Sequence, residues 1–190
     1  MRTVEIDAKS SALVLIDLQQ GIVGRQTVPY AAHEVVKRCA ELAAEFRRAG
    51  VPVVYVRVDL ADFIRLDVDE PSFDPTAPPR LAAASELVPE ACREESDLLI
   101  TKRHWSAFPG TGLEKEFRSR GVRTMVIGGI ATNFGVESTA RDAAGLGFDT
   151  VFVQDAMATF SAEAHKFALE VIFPRLGRVR KASEVKVLRG

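Results

Sequence analysis

At 190 residues the chain has the length of about one domain. Its 47% apolar and 27% charged residues match a globular protein with one sizeable core, which excludes disorder, collagen and coiled coil. Lys plus Arg number 25 and Asp plus Glu 26, so the net charge of −1 lacks the basic excess of nucleic-acid binders. Two cysteines, Cys39 and Cys92, are too few for a disulfide framework. His33, His104 and His165 are too scattered for zinc. No metal and no cofactor are expected. No apolar run approaches the roughly 18 residues of a membrane span. Glu5 and Asp7 stand where a signal peptide would be apolar. A cytoplasmic protein with no membrane partner is the expectation.

Strand-like and helix-like segments alternate. Residues 12–16 (ALVLI) form a continuous apolar run, the pattern of a strand buried on both faces of a parallel sheet. Residues 31–49 place Val35, Val36, Cys39, Leu42, Ala43 and Phe46 at helical spacing, and Gly50 stops them. Further strands are read at 51–58, 98–101, 124–128, 150–153 and near Val179, with helices at 111–120, 133–146 and 162–172. This order predicts an α/β fold: a Rossmann-like, three-layer αβα domain over 1–190 with a six-stranded, mainly parallel sheet. The connection 59–96, with five prolines, breaks the rhythm and reads equally as a lid or binding loop and as a surface excursion or oligomer contact.

Ligands of open α/β sheets bind beyond the carboxyl ends of the strands. Those ends carry Asp17, the Arg57–Asp59 pair, Lys102, the Gly128–Asn133 stretch, and Gln154 with Asp155. An aspartate directly after five apolar residues is poorly hydrated, and a lysine from the same rim completes an acid/base pair. Taken singly, Asp17 reads rather as a helix cap and Lys102 as a solvated strand end. In GGIATNFGVESTARD, the double glycine allows an abrupt turn, Thr132 or Asn133 is placed to cap the next helix, and Gly135 admits close approach to its backbone. The free N–H groups of that helix start suit an anion or developing oxyanion, although the same residues also suit an ordinary strand-turn-helix. No G-x-G-x-x-G follows the first strand and no G-x-S-x-G elbow occurs.

ALVLIDLQ, TKRHWSAFPGTGLE and GGIATNFGVESTARDA together resemble the isochorismatase-like hydrolase superfamily over roughly residues 10–180. The resemblance implies a Rossmann-like sheet of six strands, oligomerisation as a dimer or tetramer, and a small-molecule substrate. It maps the first two members of an Asp–Lys–Cys triad onto Asp17 and Lys102. The nucleophile position falls on Gly135, so thioester chemistry lacks its thiolate. The metal-binding Asp-x-His of the nicotinamidase branch would fall on Asp59-Leu60-Ala61-Asp62, which has no histidine. Isochorismatases lack the same cysteine and cleave a vinyl ether, which needs a proton donor. Carried over, Asp17 is the general acid/base, and Lys102 holds Asp17 and the substrate carboxylate. Gln19, Arg103, Trp105, Phe108, Ile130, Ala131 and Phe134 bind substrate or line the pocket, and the backbone N–H groups near Phe134 and Gly135 hold an oxygen. The family's non-proline cis peptide maps to Ile130–Ala131. Two alternatives stay open: a C–N hydrolase in which Asp17 activates water directly, and a metabolite-binding pseudoenzyme.

Overall fold

Six parallel strands in the order β4-β3-β2-β5-β6-β7 form the central sheet of the computed structural model, which describes residues 3–71 and 82–188. The strands are β1 (Val4–Asp7), β2 (Ser11–Ile16), β3 (Val53–Val58), β4 (Leu98–Lys102), β5 (Thr124–Ile130), β6 (Asp149–Ala158), β7 (Arg178–Arg180) and β8 (Val185–Leu188). The helices are α1 (Gln20–Val23), α2 (Ala32–Arg48), α3 (Leu113–Ser119), α4 (Glu137–Gly145), α5 (Ala162–Phe167) and α6 (Phe173–Leu176). The single α/β domain with its six-stranded parallel sheet is the one the sequence pattern predicts. No helix among the described residues is long and apolar enough to cross a membrane.

All six residues of β2 are buried because the strand is covered on both faces. Leu13 and Leu15 pack with Val35, Cys39, Leu42 and Phe46 of α2. Val14 and Ile16 face the opposite layer, with Leu113 and Phe117 of α3 and Ala140 and Ala143 of α4. Burying each large aliphatic side chain there contributes about 1.5–3 kcal/mol. Continuous hydrophobicity, rather than alternation, therefore marked this strand correctly.

Strands are added outward from β2 to β3 and β4 on one side, then from β5 to β6 and β7 on the other. The connections thus diverge between β2 and β5, which opens a crevice beyond their carboxyl ends. The register is tight there: Leu15 pairs with Gly128 and Ile16 with Gly129. Gly129 has φ +123°, and a Cβ on it would overlap Ile16 O and lie 2.6 Å from Ile16 N. Only glycine brings β5 this close to β2.

The structure departs from expectation in four places. β1 and β8 pair in parallel as a second, two-stranded sheet, with Val4, Ile6 and Val185 on the core side. Strands of four residues are too short for a period-2 signal to stand out. β6 runs on to Ala158 past the expected end at 153, because Gly129 pairs with Met157 after a register shift. Such a bulge carries the strand on with a changed direction. The helix read at 133–146 opens instead as a π-turn, Thr132–Val136, before α4. A second π-turn, Ala168–Ile172, interrupts the helix read at 162–172.

Candidate active site

Asp17 leaves β2 at the crevice with φ +53°, a left-handed conformation that aspartate tolerates better than most residues. Its N–H closes the ladder onto Val56 O at 2.8 Å, and its side chain is buried, with 6% of the residue exposed. Lys102 ends β4, two strands away, so its side chain crosses roughly 10 Å of sheet to reach Asp17. Its ammonium is 1% exposed and donates to Asp17 Oδ2 at 2.8 Å and to Trp105 O at 2.6 Å. Asp17 Oδ1 is buried with no hydrogen-bond partner. Burial pushes the Asp17 carboxyl above the usual carboxylate range, with Lys102 and the Val58 amide opposing it. A proton on Oδ1 relieves the cost of a buried, half-satisfied carboxylate, so that direction is the one the geometry supports.

A cavity of about 490 Å³ opens over this pair. Ile130, Ala131, Phe134, Gly135 and Trp105 line it, as do Asp17 and Lys102. The Ile130–Ala131 peptide is cis, as the family mapping expects. A Cβ at Gly135 would lie 2.9 Å from Ile16 Cγ2, 3.0 Å from Asp17 Oδ2 and 3.1 Å from Lys102 Nζ. The ion pair is thus packed against the bare backbone of residue 135. Thr139 Oγ1 donates to Gly135 O at 2.6 Å and accepts from Ala107 N at 3.0 Å, clamping the π-turn to the loop after Lys102.

Other expected site residues are placed elsewhere. Gln19 is fully buried and holds the chain together: its Nε2 donates to Val58 O (3.0 Å) and Ala84 O (3.2 Å), and its Oε1 accepts from Val58 N. Both N–H groups of that amide are used, and the residue does not line the cavity. Arg103 turns outward into an exposed ion pair with Asp62, 2.7 Å, because its neighbour Lys102 takes the inward direction. Phe108 is buried in the core against Phe148, with centroids 5.9 Å apart. Neither Thr132 nor Asn133 caps the helix. Thr132 Oγ1 bonds His165 Nδ1 at 2.9 Å, and Asn133 Oδ1 accepts from Thr159. The Phe134 N–H closes on Ala131 O at 3.1 Å and is not available to a ligand oxygen. Asp59 Oδ1 caps the N–H groups of Ala61 and Asp62. Asp155 Oδ1 accepts from Ala182 N, tying β6 to the segment after β7.

Both thiols lie off the cavity. Cys39 is buried under the sheet, its Sγ donating to Ala156 O, and burial with the nearby Asp155 charge pushes it up to about 12. Cys92 is exposed. Conversely, Ile22, Arg25, Val58, Phe63, Glu70, Pro71, His104 and Phe160 line the cavity without having been singled out. His104 lies inside the recognised TKRHW segment, and Phe63, Glu70 and Pro71 lie in the long connection, whose residues 72–81 are outside the described ones. No periodicity or spacing flagged Arg25 or Phe160, which meet only through the fold: the Arg25 guanidinium lies 3.7 Å from the Phe160 ring centroid.

His104, on the cavity, and His165, bonded to Thr132, make stability pH-dependent. Burial lowers the pKa of His165, and burial with the Lys102 charge lowers that of His104. The unfolded chain therefore binds protons first as the pH falls, so their contribution to stability is present above the ordinary histidine value of about 6.5 and is lost below it. The urea midpoint is expected to drop between about pH 7.5 and about pH 5.5, with a shallower dependence in His165→Gln. Identical pH slopes would exclude His165 as a source.

An Isochorismatase domain model matches residues 11–184. The chain is 44% identical over 194 residues to the uncharacterized isochorismatase family protein YecD of Escherichia coli O157:H7, covering 96% of this chain and 97% of that one. It is 38% identical over 92 residues to the ureidoacrylate amidohydrolase RutB of Klebsiella pneumoniae, covering 46% of this chain and 39% of that one. Its fold is similar to that of an isochorismatase family protein from Burkholderia thailandensis, with a TM-score of 0.89, 39% identity and 96% of each chain covered. A domain match this long, carried on a sheet whose crevice holds the Asp17–Lys102 pair, places the chain in the isochorismatase family.

Proposed function

We propose that the chain is a metal-independent hydrolase of a small carboxylated metabolite, cleaving an enol-ether C–O bond without a covalent thioester. One observation carries this reading. Asp17 has one oxygen fixed by Lys102 and the other buried and unpartnered, on a cavity where residue 135 is glycine and neither thiol lies. A carboxyl so placed is a proton donor with its electrostatic partner in contact. Asp17 Oδ1 delivers its proton to the terminal carbon of the enol ether, and the resulting oxocarbenium ion takes up water. The hemiketal then collapses to a ketone and an alcohol, and Asp17 is reprotonated. Lys102 holds Asp17 with one N–H group and the Trp105 carbonyl with a second, which leaves its third for the substrate carboxylate. Trp105 and Phe134, 5.1 Å apart edge to face, form the wall that keeps bulk water from the cation.

A second reading, a C–N hydrolase in which Asp17 activates water directly, draws on the 38% identity to the amidohydrolase. Isochorismate and a panel of small amides separate the two, read by pyruvate or ammonia release. Ether cleavage that fades as the pH rises through the raised Asp17 pKa is expected, because the acid form does the work. Amide turnover alone would replace the first reading by the second. Binding without any turnover would leave a metabolite-binding protein. Gly135→Cys is expected to lower ether turnover about tenfold, because its Cβ displaces the ion pair by a few tenths of an ångström. Undiminished turnover in that variant would show that the pair need not sit where it does.

A further inference from the structure

We propose that His104 is the second proton-transferring group of this cavity, the general base that takes the proton from the attacking water; this rests on the hydrolytic reading of Asp17. Both residues line the same cavity. The His104 ring is held by its faces: Phe63 stacks at 5.1 Å and 24°, and Trp105 packs at 5.2 Å and 31°. No hydrogen bond or ion pair among the described residues reaches either ring nitrogen. His165 shows the contrast, since its Nδ1 is committed to Thr132 Oγ1. An imidazole fixed by stacking alone keeps both edges for a ligand or a water.

The charges around it suit a base. Lys102 arrives from the same strand end, and Asp17, Arg25 and Glu70 line the same cavity. Arg103 and Asp62 pair outside it, next to Phe63 in the chain. Burial and the Lys102 charge keep His104 neutral where an ordinary histidine begins to protonate. Asp17 is pushed the opposite way by its own burial. Raising the Asp17 pKa and lowering that of His104 enlarges the fraction of molecules that carry a protonated carboxyl beside a neutral imidazole. The balance closes: Asp17 gives its proton to carbon, and water oxygen bonds to the oxocarbenium carbon. His104 takes the water proton and returns it towards the leaving alcohol oxygen as the hemiketal C–O bond breaks. The ketone formed leaves the hydroxyl proton to Asp17, which restores both groups.

His104→Phe tests this, because phenylalanine keeps the stack and removes both nitrogens. With the substrate that the wild type turns over, kcat is expected to fall about 100-fold with KM nearly unchanged. The acid limb of the kcat pH profile is expected to disappear, and added imidazole to restore part of the rate in His104→Ala. Wild-type kcat and an unchanged profile in His104→Phe would overturn the assignment. Trp105 is the chain's one tryptophan and touches His104, so its fluorescence reports the imidazole without turnover. Wild-type emission is expected to be quenched below about pH 6.5, with no such step in His104→Phe. A step that survives in His104→Phe would also overturn the proposal. Failure to hydrolyse any substrate would sink the hydrolytic reading, and with it the base role, even if the fluorescence step is present.

Discussion

Asp17→Asn is expected to lower kcat/KM by about 1,000-fold while the protein still folds, within the range that general acid catalysis supplies. Asparagine is nearly isosteric, tolerates the φ of +53° at this position, and still offers Lys102 an acceptor oxygen. What it lacks is the acidic proton, and its amide takes the place of the unpartnered Oδ1. Relative to the wild type, stability should improve as the pH rises above the unfolded carboxyl value of about 3.9. A group whose folded pKa is raised contributes stability below its unfolded pKa and loses it as pH rises through the folded one. Asparagine has no such loss. Steady-state kinetics beside thermal melts at two pH values separate the effects, and turnover that survives Asp17→Asn would remove the general acid.

Gly129→Ala is expected to be severely destabilising for a single added methyl group, costing about 4 kcal/mol or more and lowering Tm by about 10 °C. At φ +123° the backbone itself resists an L side chain, and the new Cβ meets the main chain of Ile16 in the neighbouring strand. Main-chain atoms in a parallel ladder move only by breaking it, and Asp17 is the next residue along. The variant should therefore lose activity even in whatever fraction folds. Gly145→Ala, where a Cβ meets nothing within 4 Å, is the control and should be within about 0.5 kcal/mol of wild type. A Gly129→Ala protein that melts with the control would show that β2 and β5 are not held at this distance.

How far the fold could be read from the sequence depended on how local each cause is. The runs at β2, β3, β5 and the start of β6 are apolar on both faces, and the α2 stripe repeats at helical spacing, so six strands and the long helix follow from short windows. β1 and β8 owe their existence to pairing between the two ends of the described chain, which no window contains. The extension of β6 depends on a register shift against β5. The π-turn at 132–136 depends on Thr132, Asn133 and Thr139 finding partners on α5, on the residue that follows β6 and on the loop after Lys102.

The candidate site divides in the same way. Asp17, Lys102 and Gly135 were visible because motif order and strand ends bring them to one rim, and the side chains of the first two do meet. Gln19, Arg103 and Phe108 sit within three residues of cavity-lining positions, yet face a backbone, the solvent and the core respectively. Neighbouring residues at a strand end point in different directions, and a motif does not say which. His104, Phe63, Arg25 and Phe160 come to the cavity from four separate stretches of chain.

By itself, then, the sequence determined the family and the parallel α/β architecture, because each is written in contiguous residues. The tertiary structure alone decided that Lys102 is engaged with Asp17 and the Trp105 carbonyl, that one carboxyl oxygen is left buried without a partner, and that a stacked, unbonded imidazole shares the cavity. Those are properties of burial and of distances between strands, and they arise only when the crevice between β2 and β5 has closed around them.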